Sequence, residues 1–305
     1  LSGHGLFAAT ELIMRCTASV IGLVSAALIL QPAAATSLLF STGDPNGLMA
    51  SASRPGGGAT FEIETADDFV LLSQSSITSA TFTGLIPSQA SVQDVVVEIY
   101  RVFPKDSDVA RTSGPPTFST TQVPTRVNSP SDVALVSRSG VTDLTFFTST
   151  LQQSFTANNS VQPGGINPLP NVTTGGDGPV TGEEVEFGVN FITPLVLSAD
   201  HYFFIPQVQL SDGTFLWLSS PRPISPPGTP FAPDLQGWAR DQSLDPDWLR
   251  VGTDIVGAGT FNFAFSLSGD VVAVPLPSTL SLFTAGLAAL SRVCWRRRNA
   301  RRACA

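Results

Sequence analysis

The stretch Glu184-Val185-Glu186-Phe187-Gly188-Val189-Asn190-Phe191 places an apolar residue at every second position. Successive side chains of a β-strand point to opposite faces, so this period sends Val185, Phe187, Val189 and Phe191 to a core and their neighbours to solvent. The same alternation returns in Phe261-Asn262-Phe263-Ala264-Phe265-Ser266-Leu267-Ser268. One-sided strands of this kind mark antiparallel sheets. Further strand-like runs extend from Thr60 to Glu64, Asp68 to Leu72, Ile77 to Ile86, Val92 to Phe103, Leu144 to Phe155, Tyr202 to Leu210, Thr214 to Leu218 and Trp248 to Val256. No amphipathic helix is evident between them. This spacing predicts an all-β fold over residues 36–270, a single antiparallel β-sandwich of the jelly-roll or immunoglobulin-like kind. Three irregular stretches, Pro104 to Ser131, Ser160 to Gly182 and Ser219 to Leu235, interrupt the strands. Loops of that length in compact domains are often functional, so any binding surface is expected there.

Composition agrees with short strands joined by turns. Of 305 residues only 13% are charged, against about 25% in an average soluble chain, while 24 are Pro and 26 are Gly. Residues 36–270 carry nine Lys or Arg and twenty-three Asp or Glu, a formal −14. An acidic body releases no counterions from a phosphate backbone, which sets nucleic acid aside as a partner. Its cysteines lie outside this region, at Cys16, Cys294 and Cys304, so it has no disulfide, thiolate metal site or cysteine nucleophile. His201 is the one histidine after position 4, which rules out a multi-histidine metal centre.

The two ends differ from the middle. From Met14 one arginine is followed by the apolar run Thr17 to Leu30 and then by Gln31-Pro32-Ala33-Ala34-Ala35-Thr36. A positive charge, an apolar segment too short to span a bilayer comfortably and a small-residue site at Ala33 and Ala35 are the parts of a secretory signal peptide. Residues 14–35 are therefore expected to be a signal peptide cut by signal peptidase after Ala35, with 1–13 an upstream extension. At the other end Val274-Pro275-Leu276-Pro277-Ser278-Thr279 leads into the Leu/Ala/Gly run to Ser291, then to Arg296-Arg297-Arg298. Six arginines fall in the last fourteen positions. Prolines keep a helix from extending upstream, and the arginines stay on the cytoplasmic side by the positive-inside rule, leaving the body outside.

This order resembles the PEP-CTERM sorting tail of Gram-negative bacteria, over about a tenth of the chain. Leu276 stands where that family has Glu, and Arg292 ends the apolar run after thirteen residues. The resemblance implies that residues 271–305 form a sorting tail with a transmembrane helix. Pro275, Pro277 and Ser278 would be recognised by an exosortase-type protease, and Arg296, Arg297 and Arg298 would form the basic end. It also implies transient anchoring in the cytoplasmic membrane, followed by release to the cell surface or to extracellular polysaccharide.

Chemical motifs are sparse. Asp241, Asp245 and Asp247 are closely spaced oxygen donors of the kind that holds Ca2+, but the glycine and terminal glutamate of an EF-hand loop are missing, and a solvated turn is the ordinary alternative. Asp106-Ser107-Asp108 and Glu183-Glu184 are weaker candidates of the same type. Any two such carboxylates could serve a glycosidase only if they converge across a cleft. Trp217, Trp238 and Trp248 are candidates for stacking on sugar rings, or for core packing. No Gly-x-Ser-x-Gly elbow, Walker loop or His-Glu-x-x-His is present. The sequence thus predicts an exported, surface or matrix-associated protein without enzymatic activity or cofactor. A carbohydrate-binding module and a secreted polysaccharide hydrolase are the alternatives.

Overall fold

A computed structural model describes residues 37–272 except 58–59, 113, 115–116, 167–168, 170–171 and 222–234. All fall in the second of the chain's two compact units, which begins at Ser37. The strands are β1 (Ser37–Ser41), β2 (Ala50–Ala52), β3 (Ile63–Leu71), β4 (Ser75–Ile86), β5 (Val92–Arg101), β6 (Val136–Ser139), β7 (Leu144–Ala157) and β8 (Ser160–Val161). They continue with β9 (Val180–Leu197), β10 (Asp200–Leu210), β11 (Leu216–Ser220), β12 (Trp238–Asp241), β13 (Leu249–Arg250), β14 (Asn262–Phe263) and β15 (Phe265–Val271). One sheet runs β1-β15-β4-β11-β2-β8, with β9 also on β4, β7 on β9 and β14 on β11; the other runs β13-β12-β3-β10-β5-β6. The short β2–β8 pair is parallel and the other pairings are antiparallel.

The alternation in the sequence explains how the sheets meet. Val185, Phe187, Val189 and Phe191 of β9 are all buried, and Phe265 and Leu267 of β15 join them. Phe187 stacks on Phe82 of β4 at 4.9 Å, with the edge of Phe215 against both rings. Across the gap, Phe204 of β10 lies 6.3 Å from Phe82 and stacks on Phe265 at 5.0 Å, so aromatic rings from both sheets build one core. The expected antiparallel all-β sandwich is what the described residues form.

Several boundaries differ from the sequence-based expectation. The runs at 60–64 and 68–72 belong to a single strand, β3, buried on both faces. The expected strand over Trp248 to Val256 is only the two-residue β13 followed by a π-helix, Val251–Val256. Asp254 draws the chain round there, accepting from the Arg250 backbone N–H at 2.8 Å and pairing with its guanidinium at 2.6 Å. Gly257, at φ +82°, ends the turn in the left-handed region. The irregular stretch from Ser160 to Gly182 contains β8 and the start of β9.

The expected signal peptide and tail helix lie outside the described residues. Among the described residues no helix is long and apolar enough to cross a membrane.

Replacing Phe187 by Ala removes a ring with no solvent exposure from the stack and is expected to cost about 3–5 kcal/mol in equilibrium urea unfolding. Phe147 of β7 is 56% exposed, and its replacement by Ala is expected to stay within about 0.5 kcal/mol.

Candidate functional site

Strand β3 directs Ile63, Phe69 and Leu71 toward the main core and Glu64, Ala66 and Asp68 to the other face of its sheet. That outer face is also covered. Tyr100 (β5), Phe203 and Ile205 (β10), Trp238 (β12), Leu235 and Trp248 pack with Ala66 in a second apolar cluster. The antiparallel register sets Arg240 beside Glu64 and Trp238 beside Ala66, so ionisable groups sit at the centre of the covered face.

Glu64, Arg240 and Tyr100 are each at most 5% exposed. The Arg240 Nε–H donates to Glu64 Oε2, and one Nη–H donates to the Tyr100 hydroxyl at 2.8 Å. The other Nη reaches Asp245 at 2.8 Å and the Pro246 carbonyl at 3.1 Å. The Tyr100 hydroxyl lies 3.0 Å from Glu64 Oε1 and 3.2 Å from Glu98 Oε2, with a single proton to give. Trp248 closes the site: the Arg240 guanidinium lies 4.2 Å from its ring centre, Tyr100 meets it edge-on, and its indole N–H donates to the Ser131 carbonyl. Beside it the covering loop is pinned by Asp132, which pairs with Arg126 and Arg111, and Asp247 lies within 4 Å of both arginines.

Burial pushes the Glu64 carboxyl up to about 7, against the opposite pull of the Arg240 guanidinium and the Tyr100 hydroxyl. A desolvated acid beside a tyrosine resembles catalytic chemistry, yet Glu64 is buried against the Arg240 guanidinium and the Tyr100 phenol, with the Trp248 indole over the guanidinium. The arrangement clamps a cover onto a sheet.

The residues singled out from the sequence are not brought together. Asp241 accepts hydrogen bonds from the Ser243 and Leu244 backbone and from the Ser243 hydroxyl, Asp245 pairs with Arg240, and Asp247 turns inward toward Arg111 and Arg126. Among the described residues no group of three His, Cys, Asp or Glu side chains is arranged to hold a metal ion. Asp106 pairs with Arg101, Asp108 caps a 3-10 turn, and Glu183 accepts from the Thr150 hydroxyl at 2.6 Å. His201 lies 2.5 Å from Asp68.

Trp217, Trp238 and Trp248 are at most 2% exposed, which overturns their candidacy as a sugar-stacking platform. Three surface clefts, of about 310, 270 and 490 Å3, show no convergent carboxylate pair. The first has no ionisable lining residue, the second has Asp254 opposite its own partner Arg250, and the third has Asp241 alone. Pro275, Pro277, Ser278, Arg296, Arg297, Arg298, Ala33 and Ala35 lie outside the described residues.

Sequence reasoning missed Glu64, Tyr100 and Arg240 as a unit, because they lie far apart in the chain on three strands and no local motif joins them. The one available signal was Trp238, a large apolar residue sharing the covered face with Arg240.

The described residues thus define an all-β, two-sheet domain in which the buried Glu64, Tyr100 and Arg240 close on one another. Residues 273–298 match the family model of the PEP-CTERM protein-sorting motif, so the chain carries that motif immediately after the last described residue. The matched span includes Leu276 and Arg292 together with Arg296, Arg297 and Arg298. No curated protein and no solved structure matches the chain.

Arg240→Ala leaves Glu64 buried without its cation and is expected to cost about 3–5 kcal/mol in urea unfolding. Glu64 also gives the fold a pH dependence. Its folded carboxyl holds a proton well above the ordinary 4.5, so its contribution is complete below that pH and is lost as the pH rises through about 7. The melting temperature of the wild type, measured relative to Glu64→Gln, is therefore expected to fall between about pH 4.5 and about pH 7.

Proposed function

We propose that this is an exported protein whose β domain is carried to the outside of the cytoplasmic membrane by a leader over residues 14–35 and held there by the tail over 271–305. An exosortase-type protease then cuts near Pro275 and Pro277 and delivers the domain to the cell surface or to exopolysaccharide. The domain acts as a non-catalytic surface or matrix component. One observation carries this reading, the match of residues 273–298 to the PEP-CTERM protein-sorting motif, a mark of exported proteins processed through a C-terminal signal.

Three further features support it. The motif begins one residue after Val272, which is still hydrogen-bonded to the Gln74 carbonyl, so domain and tail adjoin with almost no linker. The apolar run after Thr279 ends in arginines, which the positive-inside rule keeps in the cytoplasm. Among the described residues, Glu64 and Asp132 are held in internal pairs and Asp241 stands alone in its cleft.

Intact mass spectrometry of the protein from membrane and released fractions of its native host tests the proposal. The expected released species begins at Thr36 and ends near Pro275. A membrane species that retains Arg296 to Arg298, with no released counterpart, would refute processing and leave a permanently anchored domain.

A further inference from the structure

The strand ends where the chain leaves for the tail form one end of the sandwich, and several apolar side chains are exposed there. Val271, the last residue of β15, pairs with Ser75 at the start of β4, and Ser75 pairs with Leu197 at the end of β9. The turn from β3 to β4 and the turn from β9 to β10 lie at the same end, since Leu71 pairs with Asp200. Here Leu72, Val196 and Val271 are 55%, 58% and 55% exposed, and Val272 is exposed beside them. Leu38, near the start of β1 and opposite Ser268, adds a fifth exposed apolar side chain.

Ion pairs offset much of the charge at this end. Lys105 pairs with Asp200 at 2.5 Å and Arg101 with Asp106, while Asp270 stands half-buried one residue before Val271. Chain length limits how far this end can lie from the start of the tail's apolar run. Seven residue steps separate Val272 from Thr279, where the apolar run of the tail begins, and fully extended they span at most about 25 Å. If the tail is seated in a bilayer, Val272 is held within that distance of the start of the apolar run, and the strand ends that carry Leu72, Val196 and Val271 lie at the same end of the domain.

We infer that this end of the domain is a membrane-contact surface, in which Leu72, Val196, Val271 and Val272 rest in the headgroup region of the bilayer that holds the tail. The inference depends on the anchoring role proposed above. The patch is too small and too interrupted by turns to bind lipid alone, but a tether removes most of the entropic cost of association by keeping the local lipid concentration high. Lys105 and Arg101 neutralise Asp200 and Asp106, so an anionic headgroup layer meets little repulsion from these turns.

The test uses the full chain in phosphatidylcholine/phosphatidylglycerol vesicles that carry a nitroxide-labelled lipid. The native cysteines are replaced by Ser, and a single fluorophore is placed at Leu72→Cys, Val196→Cys or, at the far end of β10, Asp212→Cys. A fourth sample keeps only Cys294 in the tail. The expected result is a blue shift and loss of emission by lipid quenching at 72, 196 and 294, with position 212 as bright as in unlabelled vesicles. If 294 is quenched while 72 and 196 are not, the tail is seated but the contact surface is refuted. A blue shift at 72 and 196 without lipid quenching would mean that a second copy of the chain covers the patch, and equal quenching at 212 would mean that the body adheres without orientation; either overturns the inference. An unquenched 294 would remove the anchor and the inference with it.

Discussion

A strand buried on both faces cannot leave a polar side chain to water, and β3 carries Glu64, Thr65, Asp67 and Asp68 in that position. Each needs an internal partner, because a buried polar group without one costs several kcal/mol, and a buried charge costs more. Much of the domain is arranged around these demands. Thr65 donates to the Ala52 carbonyl and shares a hydrogen bond with Ser51, which ties β3 to β2 of the opposite sheet. Asp67 accepts from the Phe263 backbone N–H at 2.7 Å, reaching β14 of that sheet. Asp68 accepts from the Leu235 N–H and meets His201, and Glu64 takes Arg240. The polar residues of one strand therefore fix the second sheet to the first on one side and to its cover on the other.

That cover explains both what could be read from the sequence and what could not. Alternation in β9 and β15 was legible because each has one face in the core and the other toward solvent. β3 gave no such pattern, and its continuous burial under loop residues made one strand look like two short ones. The three tryptophans show the same effect. A large aromatic residue in a low-charge domain is equally consistent with an exposed platform and with a core, and only tertiary packing puts Trp217 against Phe263 and Trp248 against Arg240. Asp241, Asp245 and Asp247 are close in sequence and diverge in space, because the turn that holds them gives successive side chains different neighbours. The π-helix after β13 depends on a local pair between Arg250 and Asp254 that hydrophobic periodicity does not register.

The tail was legible for a different reason. It is a linear order of proline, apolar run and arginine, so no tertiary context is needed to recognise it, and the family model matches the same residues. The site in the body is the reverse case. Its chemistry exists only when residues 64, 100, 240 and 248 meet, and none of them has a local motif.

The chain order of the first sheet connects the two ends. β15 lies between β1 and β4, so the last strand of the domain sits inside the sheet and the first is at its edge. The Ser37 hydroxyl donates to the Gly269 carbonyl across 232 positions, and the buried Thr42 hydroxyl accepts from the Phe265 N–H and lies within hydrogen-bond reach of the Phe263 and Phe265 carbonyls. Contacts of such separation form late, since loop closure has to precede them. β1 has no partner among the described strands other than β15, and β15 ends two residues before the matched sorting motif. The sheet therefore closes only when the whole body up to Val271 is in one compartment. On the export route proposed above, a chain threaded outward from its amino end would reach that point with residues 273–298 still to follow, and its apolar strand ends would form beside the membrane.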